Sequence, residues 1–169
     1  MRHFKKTEII RFPDARSVDP GGGDESWSRW EHPTTIKEYG AINKIDISSQ
    51  SPHHLAITSY SKVTLYNPVI RDVYKTVAKF QDAAYGAKFR RDGKLFGVGT
   101  SEGQLKIFDF ATKTLLRILR GHTTAVHRLD FTSDNTHVLS FSDDKTVGFW
   151  DLAAETLMDS YSEHTDYIR

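Results

Sequence analysis

The sequence predicts an all-β fold, an incomplete β-propeller with about three four-stranded blades. The first observation is a repeat of 42 residues, which aligns three segments without a gap. The positions that coincide are apolar or aromatic: Ile47, Phe89 and Phe131, then Tyr66, Phe108 and Trp150. The second observation is that apolar residues alternate with period two within each unit, as half-buried strands require. Repeats of about 40–45 residues with several short strands are typical of propeller blades.

The repeat divides the chain into three parts. Residues 1–41 are expected to form an N-terminal arm and linker, residues 42–161 three blades, and residues 162–169 the start of a fourth blade. Within the arm, residues 3–12 are a candidate outer strand of a closing blade. Residues 17–26 contain a proline and three glycines, which predicts a flexible linker.

The third unit shows the strand pattern most clearly. Its strands are predicted at 126–131, 137–142, 145–150 and 155–161, separated by turn residues such as those of 132–136. In the second unit, Asp92-Gly93 predicts a hairpin turn, because this pair tolerates a positive φ. Six side chains are expected to be buried between blades: Phe89, Ile107, Leu129, Phe131, Val147 and Phe149.

Composition excludes several classes of protein. The chain is 38% hydrophobic and 27% charged, and no apolar run approaches the length of a membrane helix. The absence of cysteine excludes disulfides, thiolate catalysis and cysteine-bound zinc. Net charge is only +1. It is unevenly distributed, because residues 42–121 carry 13 basic and 6 acidic residues and residues 122–169 carry 3 and 9.

Residues 121–151, GHTTAVHRLDFTSDNTHVLSFSDDKTVGFWD, resemble a WD repeat from end to end. The resemblance implies a structural hydrogen-bonded chain formed by four side chains: His122, Ser140, Asp144 and Trp150. Serine, histidine and aspartate also occur in hydrolase triads, but a blade uses them as buried structure, which we consider the better explanation. We therefore predict no enzymatic activity.

The first two units depart from this pattern at the four network positions. The second unit has Phe80, Val98, Glu102 and Phe108 there, and the first has Glu38, Ala56, Tyr60 and Tyr66. Neither set can form the network. These two blades are therefore predicted to be held by apolar packing alone.

Four segments point to a particular group of WD-repeat proteins: 36–48, 80–96, 101–109 and 163–169. They are similar to nucleolar WD-repeat subunits of the small-subunit processome. The resemblance implies a non-enzymatic scaffold of the nucleus and nucleolus, which acts with other subunits on pre-ribosomal RNA during its transcription and processing. It implies no cofactor, metal, membrane or small-molecule substrate. Because full members close the propeller and add a helical domain, the chain is expected to be an N-terminal fragment.

A second class of function stays open. The chain would also suit a WD-repeat adaptor in an unrelated protein-only assembly, such as a ubiquitin ligase or a chromatin complex. The slope of RNA affinity against salt separates the two, because phosphate contacts release counterions.

The basic middle segment supplies a candidate contact with RNA or another anionic partner. In a propeller, the turns that join the first strand to the second and the third to the fourth share one rim. Seven cations are predicted on this turn rim or along the adjoining outer strands: Arg71, Lys75, Arg90, Arg91, Lys94, Lys113 and Arg117. An ordinary lysine-rich surface or an acidic protein partner would explain the same residues.

Overall fold

The computed structural model describes residues 35–38, 40–77 and 80–169. In this part of the chain every regular element is a β-strand. No helix that could span a membrane is found there. The candidate strand at 3–12 and the linker at 17–26 lie outside the described residues.

Twelve strands form three antiparallel four-stranded sheets, which are the three blades. Blade 1 contains β1 (Ile42–Ile47), β2 (Leu55–Ser59), β3 (Lys62–Asn67) and β4 (Asp72–Val77). Blade 2 contains β5 (Ala84–Phe89), β6 (Leu95–Thr100), β7 (Gln104–Asp109) and β8 (Leu115–Arg120). Blade 3 contains β9 (Val126–Phe131), β10 (His137–Ser142), β11 (Val147–Asp151) and β12 (Thr156–Tyr161). The all-β propeller architecture, incomplete in this chain, is thus confirmed.

Strand order within every blade follows the sequence, since each strand pairs with the next through a short turn. The turns contain residues with positive φ where the chain reverses, including Gly93 at +69° and Asn135 at +63°. The first strand of each blade is an inner edge strand, and β1, β5 and β9 pack side by side. We call these three the inner strands.

Two apolar cores lie between successive blades. Blades 1 and 2 bury one around Phe96 and Phe108, whose rings stack with centroids 5.1 Å apart. Blades 2 and 3 bury the other around Leu105, Leu129 and Trp150. Packing between sheets, rather than within one sheet, therefore holds the three blades together.

The burial prediction is confirmed for three of the six side chains and wrong for the others. Phe89, Ile107 and Leu129 are at most 5% exposed, whereas Phe131, Val147 and Phe149 are only half-buried. Phe131 lies at the margin of the second core. Val147 and Phe149 alternate with Trp150 and so point to the opposite face of blade 3, which no described blade covers.

Blade 1 likewise exposes apolar side chains on a face that no described blade covers. Ile42, Ile45 and Ile47 of β1 are 49%, 52% and 60% exposed. Their counterparts one repeat later, Ala84, Ala87 and Phe89, are at most 5% exposed because they face blade 1. Blades 2 and 3 thus present an apolar face to the preceding blade, and no described blade covers the corresponding face of blade 1.

Polar side chains also join blade 1 to blade 2. The Asp46 carboxylate accepts from the Phe89 amide at 2.8 Å and from the Lys88 ammonium at 3.1 Å. The Thr58 hydroxyl accepts from the Ala87 amide at 3.1 Å. These contacts give partners to β5 amides on the edge that has no neighbouring strand within its own sheet.

Residues 162–169 contain no strand. They lie against the turn between β10 and β11, where the Ile168 amide donates to the Ser142 carbonyl at 3.2 Å. Arg169 Nε lies 3.1 Å from an Asp143 carboxylate oxygen. That these residues begin a fourth blade stays a prediction.

Candidate functional site

The structure brings the four network residues of blade 3 into one hydrogen-bonded chain. Trp150 Nε1 donates to Ser140 Oγ at 2.7 Å. Ser140 Oγ lies 2.6 Å from His122 Nε2, and His122 Nδ1 lies 2.8 Å from an Asp144 carboxylate oxygen. With the proton of His122 on Nδ1, each donor in this series has one acceptor.

Asp144 anchors the charged end of this chain. Its carboxylate also accepts from the Thr123 amide at 3.1 Å and from the Thr146 amide at 3.0 Å. Burial of Asp144 acts to raise its pKa, but hydrogen bonds from Thr146, His122 and Thr123 together outweigh burial and hold the pKa below its ordinary value. The carboxylate therefore stays ionised at neutral pH and fixes the imidazole.

The network depends on a glycine that sequence reasoning did not single out. A Cβ atom at Gly148 would lie 2.6 Å from Trp150 Nε1 and 2.8 Å from Ser140 Oγ. The corresponding positions in blades 1 and 2 are Thr64 and Lys106, where no such network exists. A glycine two residues before the tryptophan is thus the sequence signal for this network.

The geometry does not favour the catalytic interpretation of these residues. Ser140 has no exposed surface, and its Oγ is occupied by both Trp150 and His122. A nucleophile must be accessible to its substrate. The arrangement is that of a buried polar network, which stabilises a fold when every member has a partner.

Blade 1 has a polar arrangement of its own at the equivalent site. Glu38, in the position of His122, accepts from the Thr64 hydroxyl at 2.8 Å and pairs with the Lys62 ammonium at 2.5 Å. The prediction that apolar packing alone holds this blade is therefore wrong. Blade 2 places Phe80 against Phe108, with ring centroids 5.8 Å apart, and Lys106 lies over the Phe80 ring at 5.5 Å.

Four of the seven predicted cations are exposed. Arg71 lies in the β3–β4 turn and Lys75 in β4, whereas Arg91 and Lys94 lie in the β5–β6 turn. Arg91 is drawn towards blade 1, because its carbonyl accepts from the Ser49 hydroxyl at 2.7 Å. We call Arg71, Lys75, Arg91 and Lys94 the rim cations.

Arg90 and Arg117 are engaged within the protein. The Arg90 guanidinium binds the Asp92 carboxylate at 2.7 Å and 2.9 Å and also donates to the Asn135 carbonyl of blade 3 at 3.3 Å. Arg117 Nε lies 3.4 Å from a carboxylate oxygen of Glu155. Arg90 therefore helps to join two blades, and its replacement by glutamate would disturb that contact.

Lys113 is buried, so the prediction that it contacts an anionic partner is wrong. It is 5% exposed, and its ammonium lies 4.2 Å from the centroid of the Tyr74 ring and 4.5 Å from that of Phe110. The same ammonium donates to the Ala111 carbonyl at 2.9 Å. Cation–π attraction explains why a lysine is buried here without a carboxylate.

His54 completes this aromatic cluster between blades 1 and 2. Its ring lies 4.9 Å from that of Phe110 and 5.6 Å from that of Tyr74. Burial, together with the positive charge of Lys113, lowers the pKa of His54. The imidazole is accordingly neutral at physiological pH, which keeps a second positive charge away from the lysine.

A further group of cations was missed because it lies on the inner strands rather than in turns. Lys44, Lys88 and Arg128 belong to β1, β5 and β9 and line one cavity. A signal was present in the sequence, since Lys44 and Arg128 are separated by two repeat lengths and hence occupy equivalent positions in their blades.

The comparisons with known proteins agree with this fold. A family model described as "WD domain, G-beta repeat" matches residues 113–151. This match identifies a WD repeat in the part of the chain that holds the His122–Trp150 network.

The chain resembles U3 small nucleolar RNA-associated protein 15 in sequence. It is 43% identical over 143 residues to the homolog of that name from Gallus gallus. It is 42% identical over 144 residues to the protein from Schizosaccharomyces pombe and 32% identical over 147 residues to that from Saccharomyces cerevisiae. Each comparison covers 85% of this chain. The chain spans 28–29% of the length of these curated relatives.

Proposed function

We propose that this chain is a non-enzymatic scaffold subunit of a nucleolar pre-ribosomal complex that acts in small-subunit ribosomal RNA transcription and processing. The observation that carries the proposal is the 42–43% identity, over 85% of the chain, to proteins named for their association with U3 small nucleolar RNA. Its partners would be the other subunits of that complex and the pre-ribosomal RNA near which they assemble. Its location would be the nucleus and nucleolus.

Features of the structure support a scaffold. The serine, histidine and aspartate that suggested a hydrolase are buried in blade 3, where they hold the sheet together. The outer faces of blades 1 and 3, by contrast, expose apolar side chains such as Ile45 and Met158, at 52% and 56%. Apolar faces of this kind pack against a further blade or against another protein.

Capture of U3 small nucleolar RNA tests the proposed function. The chain, carrying an affinity tag and expressed in cells of its source, is purified from nuclei, and the bound RNA is quantified. We expect U3 small nucleolar RNA and pre-ribosomal RNA to be enriched over a spliceosomal small nuclear RNA, which serves as the control. Equal recovery of all these RNAs, or recovery of a protein-only assembly, would contradict the proposal.

The rim cations are the proposed contact with an anionic partner, and the salt dependence of RNA binding tests this. Reversing the charge of Arg71, Arg91 and Lys94 to glutamate should leave the fold intact, because all three are exposed. If three phosphates are contacted, the slope of log affinity against log salt should become shallower by about 2. RNA sequence should matter little, because phosphate contacts carry no base information.

A matched control is available on the opposite rim. Lys37, Arg120 and Lys145 are also exposed, and their reversal to glutamate changes the net charge by the same amount. If both triple variants shift the slope equally, the effect belongs to net charge, and the rim cations are not the contact. Arg90 is excluded from the variant because of its contacts with Asp92 and Asn135.

A further inference from the structure

The inner strands carry a row of three equivalent positions occupied by Lys44, Gly86 and Arg128. The glycine in the middle has φ +42°, and a Cβ atom there would lie 2.4 Å from the His127 carbonyl oxygen. Blade 2 therefore cannot place a side chain in this row without moving blade 3. The result is a gap with a lysine on one side and an arginine on the other.

This gap opens into a cleft on the surface of the inner strands. Two adjoining cavities of about 290 Å³ and 460 Å³ share Lys44, Arg128 and Arg169 in their walls. Tyr85 and His127 form an aromatic wall, with ring centroids 4.4 Å apart. Asp143 holds His127 in place through a 2.7 Å contact with its Nε2.

The charges in the cleft are not balanced. Lys88 is paired with Asp46, and Arg169 is paired with Asp143, each at 3.1 Å. Within the part of the chain that the structure describes, neither Lys44 nor Arg128 lies within salt-bridge distance of a carboxylate.

Lys44 is partly buried and lies among charges of both signs. Burial is the main cause that lowers the pKa of Lys44 from its ordinary value; Asp46 and Asp130 act to raise the pKa, whereas Lys88 and Arg128 lower it further. An anion placed between Lys44 and Arg128 would relieve the repulsion and form charge-assisted hydrogen bonds with both.

We propose that this cleft binds a carboxylate side chain of an acidic peptide segment from a partner protein, held between Lys44 and Arg128. The residue next to that carboxylate would pack against the aromatic wall of Tyr85 and His127. The proposal concerns a surface distinct from the rim cations and does not depend on the proposed ribosomal role.

Acidic residues on the same strands favour a peptide over RNA. Asp46 and Asp130 lie two residues beyond Lys44 and Arg128, and alternation along a strand places them on the same face. A nucleic acid strand would bring several phosphates close to these carboxylates, whereas an isolated glutamate or aspartate of a peptide would place a single negative charge between the two cations.

Binding of short fluorescent peptides to the 169-residue chain tests the proposal. One set has a central glutamate with randomised neighbours, and a matched set has glutamine in its place. We expect binders in the glutamate set whose affinity falls about tenfold or more with the glutamine substitution, as befits a charge-assisted contact. The double variant Lys44→Gln, Arg128→Gln should bind the glutamate peptides more weakly by a similar factor.

The control variant is Lys37→Gln, Arg120→Gln, which removes two exposed cations outside both the cleft and the rim cations and should bind the glutamate peptides as the wild type does. Thermal unfolding of all variants checks their folding, and the glutamate–glutamine comparison on the wild-type chain needs no variant. Absence of glutamate-dependent binders would overturn the proposal. An equal loss of peptide affinity in both double variants would also overturn it. So would a cleft that binds a single-stranded oligouridylate but no peptide, if the double variant Lys44→Gln, Arg128→Gln abolishes that RNA binding.

Discussion

Replacing Gly99 by alanine is expected to destabilise the protein by about 3 kcal/mol or more, at the upper end of what overpacking costs. A Cβ atom at this position in β6 would lie 2.2 Å from the carbonyl oxygen of Val126 and 3.0 Å from its carbonyl carbon. Val126 is fully buried at the start of β9, so its backbone can yield only if blade 3 moves away from blade 2. Denaturant unfolding of wild type and variant measures the loss.

Gly97 provides a matched control on the same strand and the same face of blade 2. A Cβ atom there would meet side-chain methyl groups instead, at 2.8 Å from Leu129 and 3.1 Å from Ile107. Side chains can rotate away, so Gly97→Ala should cost only about 1 kcal/mol. Similar losses in the two variants would show that contact with the backbone of blade 3 is not what requires glycine at 99.

The fold could be predicted from the sequence because each 42-residue repeat forms one blade. The first strands of the three blades begin 42 residues apart, at Ile42, Ala84 and Val126, so Ile107 and Leu129 could be placed in a core by alignment alone. The incomplete burial of Val147 could not be predicted in this way. Its burial depends on a neighbouring sheet, and a pattern that repeats within a chain does not reveal which blade faces are covered.

The candidate site was harder to predict because it depends on side-chain direction. Lys113 was assigned correctly to a turn, yet its ammonium reaches back over Tyr74, 39 residues earlier in the chain. Arg90 likewise leaves its own turn to contact Asn135 of blade 3. Both contacts run from a turn of blade 2 to a different blade, and the identity of a turn residue says nothing about them.

The blade 3 network was more accessible to sequence reasoning than the rim. Its members recur at fixed spacing in a WD repeat, and a buried polar group requires its partners at fixed positions. Lys44 and Arg128 could have been found by the same comparison of equivalent positions. They were missed because the search for cations followed the turns, although the inner strands of adjacent blades also converge.

Trp150→Phe is expected to lower the free energy of unfolding by about 2–3 kcal/mol, through a lost hydrogen bond and a smaller ring in a full core. Trp150 is 1% exposed, so no water replaces its indole N–H as the donor to Ser140 Oγ. Phenylalanine is tolerated at the equivalent position of blade 2, where Phe108 packs against Phe80 instead of a histidine. The loss should therefore reflect the network rather than the fit of a phenyl ring into a blade.

A double-mutant cycle with Ser140→Ala separates the hydrogen bond from the packing. With Ser140 absent, the indole has no acceptor to lose, and Trp150→Phe should cost only about 1 kcal/mol, for the lost volume. The difference between the two backgrounds, measured by denaturant unfolding, is the coupling of Trp150 to Ser140. Equal costs in both backgrounds would mean that the 2.7 Å contact contributes nothing to stability, and that blade 3, like blade 2, is held by its apolar core.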